Sequence, residues 1–132
     1  MRKSVLCEEK DNICLITLNE EDTRNAISPE IINELVSILE EIDNNKNISC
    51  AILTGAGKSF SSGGNLHEIN EMTENNNMSL RDIENWYRNG IQRIPMTFNK
   101  IDVPVIAAIN GHAIGAGNDL CTCLLYTSPS PR

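Results

Sequence analysis

The 132-residue sequence predicts an α/β fold in which strand, small-residue loop and helix recur as stacked turns of a spiral. Three observations carry that expectation. Short apolar runs (Ile13–Leu18, Cys50–Thr54, Val105–Ile109) read as buried strands. Two of them lead into loops rich in Gly, Ala and Ser, and each loop is followed by a helical pattern. This order appears before residue 75 and again after residue 103. Neither unit closes a core alone, so stacking one on the other is the natural solution.

Taken in order, Ser4–Glu9 and Ile13–Leu18 read as a hairpin turning at Asp11-Asn12. The second strand shows little polar alternation, and cover on both faces is expected. Residues 19–26, NEEDTRNA, form a polar loop. Ser28-Pro29-Glu30 then opens a helix with an N-cap hydroxyl, a proline at the first position and an acid near the positive end. Ile31, Ile32, Leu35, Val36, Ile38, Leu39 and Ile42 supply its core stripe, Glu34 and Asp43 are placed on its solvent side, and Asn44-Asn45 ends it.

Gly55-Ala56-Gly57-Lys58-Ser59 suggests a phosphate loop, but Ile52 stands where that pattern needs a glycine. The more informative stretch is Phe60-Ser61-Ser62-Gly63-Gly64-Asn65, ahead of a helical segment from Leu66 to Met72. Residues 74–78 read as a polar loop. Ser79 and Asp82 form a capping-box variant. Ile83, Trp86, Tyr87, Ile91 and Ile94 continue a helical apolar face, Pro95 is expected to kink or interrupt it, and the helix resumes towards Lys100. Trp86 and Tyr87 are candidates for lining an apolar ligand tunnel.

The last turn is the most telling. Pro104 opens a buried strand, Asn110-Gly111 turns the chain, and Gly115-Ala116-Gly117 precedes a helix carrying Asp119 near its start. Such loops present backbone N–H groups to developing negative charge. Two of them, aimed at one atom from two directions, would make an oxyanion hole. Beyond Leu120 or Cys121 the pattern dissolves into CTCLLYTSPSPR. Residues 1–120 are therefore expected to form a partial domain, and 121–132 a non-native tail.

Composition narrows the function classes. A net charge of -7 and a pI near 4.7 argue against nucleic acid as a partner. The apolar runs are too short to span a membrane. MRKSVLCEEKD lacks a secretory core, which points to a reducing, cytoplasmic setting. Five cysteines without a C-x-x-C pair suggest neither a disulfide framework nor zinc, and with two histidines no metal site is expected.

The segments ITLNEEDTRNAIS, AILTGAGKSFSSGGNL and KIDVPVIAAINGHAIGAGNDL, in this order and spacing, resemble the enoyl-CoA hydratase/isomerase (crotonase) superfamily across residues 3–121. The resemblance implies a truncated crotonase-like spiral of β-β-α turns, trimers that pair into hexamers, and acyl-CoA thioester substrates. It places the oxyanion amides on Gly64 and Ala116 and an acid/base carboxylate on Asp119, with the second carboxylate beyond the chain. Ala26, Gly64, Asn65, Leu66, His67 and Ala116 fall at the substrate. Coenzyme A arrives with the substrate, so no separate cofactor is implied. Three departures stand out: Ala116 for the commoner Gly, Asp119 for the usual Glu, and His67 where Lys is frequent. Arg24, Lys58 and Lys3 are candidates for meeting the CoA phosphates. The resemblance implies hydration of a 2-enoyl-CoA first. Double-bond isomerisation is the enzymatic alternative, and a non-catalytic acyl-CoA-binding or oligomerisation homologue is the alternative outside enzymes.

Overall fold

In a computed structural model, which describes residues 2–74, 78–124 and 126–128, the hairpin strands are β1 (Val5–Lys10) and β2 (Ile13–Leu18). Asp11 and Asn12, both at positive φ (51° and 66°), make the two-residue turn between them. The helix α1 (Pro29–Asn44) starts where its sequence signals place it, with Ser28 Oγ accepting from Ile31 N–H at 3.2 Å. β3 (Cys50–Gly55) runs parallel to β2, β5 (Val105–Ala108) parallel to β3, and β7 (Tyr126–Ser128) parallel to β5. The resulting sheet has the order β1-β2-β3-β5-β7. β4 (Ser59–Ser61) and β6 (His112–Ala113) form a separate parallel pair. The remaining helices are α2 (Leu66–Glu74), α3 (Leu80–Asn89), α4 (Arg93–Lys100) and α5 (Ala116–Thr122).

The core forms on one face of the sheet. Cys14, Ile16 and Leu18 of β2, Ala51 and Leu53 of β3, and Val105 and Ala107 of β5 are buried with Ile31, Leu35 and Leu39 of α1. The other face is not sealed. Ile13 and Leu15 remain 39% and 37% exposed, so β2 alternates instead of being covered on both sides. The reason is that the packed helix covers a single face of this part of the sheet. Two acids of α1 also do more than face water. Glu34 accepts from the Val5 N–H at 2.8 Å, and Asp43 Oδ1 accepts from the Asp102 and Val103 N–H groups at 2.8 and 3.0 Å. They fasten the first strand and the approach to β5 onto the helix.

Several further expectations are corrected. The helix is interrupted and resumes to Lys100, but the break falls at Gly90–Gln92 and not at Pro95, which sits in the first turn of α4, where an N–H has no partner within the helix. Cys7 and Cys14 are joined as a disulfide, although no pairing was expected from the cysteine spacing. The register places Cys7 opposite Ile16 and Glu9 opposite Cys14, which makes the two cysteines diagonal neighbours with Cα atoms 6.4 Å apart. Part of the polar loop assigned to 74–78 lies outside the described residues. The helix of the last turn begins at Ala116 and ends at Thr122, and β7 follows in a segment to which the sequence assigned no element.

Candidate active site

The site is built where β4 and β6 bring their following loops together. Ile114 N–H donates to Ser61 O at 3.0 Å, and Ile27 N–H donates to Gly63 O at 2.8 Å. Gly63 has a φ of +95°, and a side chain there would put its first carbon 2.5 Å from Ile114 O and 3.4 Å from the Ala116 nitrogen. Gly117 lies as close to β4, since a Cβ on it would come within 2.6 Å of Ser61 O. Small residues are needed here because two loops from different strands occupy one narrow space.

Gly64 and Ala116 both border a cleft of about 640 Å³. Ile27, Ile32, Ile69 of α2, Trp86, Tyr87 and Ile91 supply apolar lining. Both aromatic residues singled out from the sequence thus line the cleft. Gly64 is held by a parallel bridge to Ile27 that uses its neighbour's carbonyl. Among the described residues no backbone hydrogen bond engages the N–H of Gly64 or of Ala116. Gly115, at φ 52°, turns the chain directly ahead of Ala116.

The remaining candidates separate into two groups. Ala26, Asn65, Leu66 and His67 border a second hollow of about 390 Å³ together with Arg24, and Gly64 and Asn65 belong to both hollows. His67 is largely exposed and lies 3.4 Å from Glu71 one turn along α2. Lys3 belongs to a different hollow, beside β1 and the end of α1. Asp119 occupies the first turn of α5 but is not among the residues bordering the cleft; its side chain is exposed. Its charge helps to push the Cys123 thiol upward, after burial as the larger cause. Burial also raises Cys121, so neither thiol is an activated nucleophile.

Sequence reasoning missed two residues. Asn25 is fully buried at a φ of 56°, donates through Nδ2 to Ala56 O (3.0 Å) and Ser59 O (2.9 Å), and accepts from Glu20 N–H at 2.9 Å. It pins the polar loop to the start of β4; the sequence signal was an Asn in a turn, which tolerates left-handed backbone. Glu68 borders the cleft, and Asn65 Nδ2 donates to its Oε1 at 3.0 Å. Its pKa is raised, first by burial and then by Glu30, with Glu71 and Glu20 adding to the effect and the Asn65 hydrogen bond opposing it. No cluster of metal-ligating side chains occurs among the described residues.

The family model for enoyl-CoA hydratase/isomerase matches residues 8–126. The chain belongs to the enoyl-CoA hydratase/isomerase family. It is 38% identical to YngF of Bacillus subtilis (strain 168), named for that family, over 91% of this chain and 44% of that protein. It is 31% identical to the short-chain-enoyl-CoA hydratase of Clostridium acetobutylicum, over 89% of this chain and 42% of the relative. To the 1,2-epoxyphenylacetyl-CoA isomerase of Escherichia coli (strain K12) it is 30% identical, over 91% of this chain and 45% of that enzyme. The chain thus spans less than half the length of these curated relatives. The crystal structure of an enoyl-CoA hydratase from Polaromonas sp. JS666 superposes with a TM-score of 0.79 at 25% identity, over 93% of this chain and 46% of that one. That of Pseudomonas aeruginosa PA4980 superposes at 0.83 with 23% identity, over 95% and 52%, a likeness of fold. The crotonase-type α/β fold is therefore the fold of this chain, which spans about half the length of those solved chains.

Proposed function

We propose that the full-length protein adds water to 2-enoyl-CoA thioesters. The supporting observation is that Gly64 and Ala116, on loops from different strands, border one largely apolar cleft. In this reading the acyl chain occupies the cleft beside Ile69 and Trp86. The thioester carbonyl meets the N–H groups of Gly64 and Ala116, and the CoA portion leaves past Ala26, Asn65, Leu66, His67 and Arg24. Water adding at the β-carbon drives negative charge onto the carbonyl oxygen. Two preorganised amides stabilise that enolate without a metal or separate cofactor, because coenzyme A is part of the substrate. Asp119 is proposed as one acid/base carboxylate, and assembly as a homotrimer or hexamer belongs to the same proposal. No helix among the described residues is long and apolar enough to cross a membrane.

The test is Ala116→Pro in the full-length protein. Ala116 is the first residue of α5, a position where proline's fixed φ is tolerated, and the substitution replaces the N–H by a ring carbon. Hydration of crotonyl-CoA should lose roughly 10²–10³-fold in kcat, the usual effect of removing one oxyanion donor. A folded variant within about threefold of wild type would end the reading. Double-bond migration is the second reading, favoured because Asp119 stands outside the cleft lining.

A further inference from the structure

We propose that Glu68 is a catalytic residue of this site: its carboxyl takes a proton from the acyl chain beside the thioester and returns it two carbons away, moving a double bond. The inference rests on the thioester reading above and adds the group that handles the proton. Glu68 lies in the first turn of α2, and it borders the same cleft as Gly64, Ala116, Ile69 and Trp86. The other carboxylate bordering that cleft among the described residues is Asp82. Its Oδ2 already accepts from the Ser79 N–H and hydroxyl, so it is committed to capping α3. Asn65 Nδ2 holds Glu68 Oε1 at 3.0 Å, which fixes the carboxyl next to the loop that carries Gly64.

The surroundings suit a group that both accepts and donates a proton. Glu30 at the start of α1, Glu71 on α2 and Glu20 in the polar loop oppose charge on Glu68, and burial opposes it more. Asp82 of α3 also borders the cleft, as does Arg93 of α4, whose guanidinium donates to Asn33 Oδ1. A carboxyl raised in this way is a better proton donor near neutral pH than an ordinary glutamate.

The step balances without a co-reactant. In a 3-enoyl thioester the Glu68 carboxylate removes a proton from the α-carbon. The C–H electron pair forms the α-carbon–carbonyl-carbon double bond, and the carbonyl π pair moves to oxygen, facing the Gly64 and Ala116 N–H groups. As the carbonyl re-forms, the enolate pair becomes the α–β double bond. The former β–γ π pair then takes the proton from neutral Glu68 at the γ-carbon. The product is the 2-enoyl thioester, and Glu68 is again a carboxylate.

The experiment uses the full-length protein, trans-3-hexenoyl-CoA as substrate, and acetoacetyl-CoA, whose bound enolate absorbs in the ultraviolet, as the probe of the oxyanion site. Glu68→Gln should lower kcat for isomerisation roughly 10²–10⁴-fold and abolish the acidic limb of the pH–rate profile. Its affinity for acetoacetyl-CoA should stay within about threefold of wild type. Transfer of deuterium from an α-deuterated substrate to the γ-carbon should fall in step. If Glu68→Gln does not fold, Glu68→Asp is judged instead; it shortens the reach by one methylene and should cost at least about tenfold in kcat. The proposal is overturned by a folded variant with an unchanged rate, or by a wild-type protein that binds acetoacetyl-CoA as enolate yet does not isomerise the substrate. A wild-type protein that fails to bind acetoacetyl-CoA overturns the thioester reading, and this inference falls with it.

Discussion

Gly63 and Ala116 approach so closely that a Cβ on the glycine would stand 3.4 Å from the Ala116 nitrogen and 2.5 Å from the carbonyl oxygen of Ile114. The contact is between backbone and backbone, so no side chain can swing aside to relieve it. Gly63 also has a φ of +95°, where a Cβ is strained whatever the space around it.

Gly63→Ala should therefore push the two loops apart. In the full-length protein the expected result is a loss of roughly 10²-fold in kcat, the scale of a 1 Å misplacement, with a lowered melting temperature. Steady-state kinetics beside a thermal melt checks it. An alanine variant with wild-type kcat would show that the convergence of these loops does not govern the chemistry.

Asn25 supports the same region from beneath. It is wholly buried, and its side chain makes three hydrogen bonds to the backbone of Glu20, Ala56 and Ser59. Asn25→Ala would strand those buried groups and place alanine at a left-handed φ of 56°. The expected cost is about 3–5 kcal/mol, from unsatisfied polar groups plus backbone strain. Urea unfolding of the full-length protein measures it, and a loss below about 1 kcal/mol would mean that water replaces the amide.

How much of this was legible in the sequence follows from how local each feature is. α1 was readable to its ends because Ser28, Pro29 and the isoleucine spacing all act within the helix. β4 and β6 are three and two residues long, and each exists through its pairing with a distant segment. No periodicity can emerge over such lengths. Pro95 misled because proline forbids a helix interior but is accepted in a first turn, and only the break at Gly90 decides which applies. Glu68 read as one more acid on an acidic chain. Its placement in the cleft depends on residues of α1, α3 and α5 that are distant in sequence, a tertiary fact without a local trace.

The start of α3 supplies a pH-dependent prediction. Hydrogen bonds from the Ser79 side chain first, and then from its backbone, hold the Asp82 carboxyl below its ordinary value. A depressed carboxylate pKa stabilises the folded cap at pH above the unfolded value of 3.8, and that contribution is lost as pH falls through the lower folded value. Amide hydrogen exchange in the first turn of α3 should therefore accelerate locally at the acid end, relative to α1. Asp82→Asn should remove this acid-dependent step. Identical acid profiles for variant and wild type would assign the cap to the Ser79 hydroxyl alone.

The last prediction separates Asp119 from Glu68. Asp119 sits one turn into α5, three residues after Ala116, but its side chain is exposed and it does not border the cleft. If it serves hydration from the full-length assembly, Asp119→Asn keeps shape and polarity while removing proton transfer. Crotonyl-CoA hydration should then fall roughly 10²–10⁴-fold in kcat with little change in KM. Isomerisation of a 3-enoyl-CoA, carried by Glu68, should survive in the same variant, and Glu68→Gln should lose it. This crossed pattern cannot arise from general unfolding, because each variant retains the activity that the other lacks. Retention of more than about a third of the hydration kcat in Asp119→Asn would leave that carboxylate to stabilise the first turn of α5.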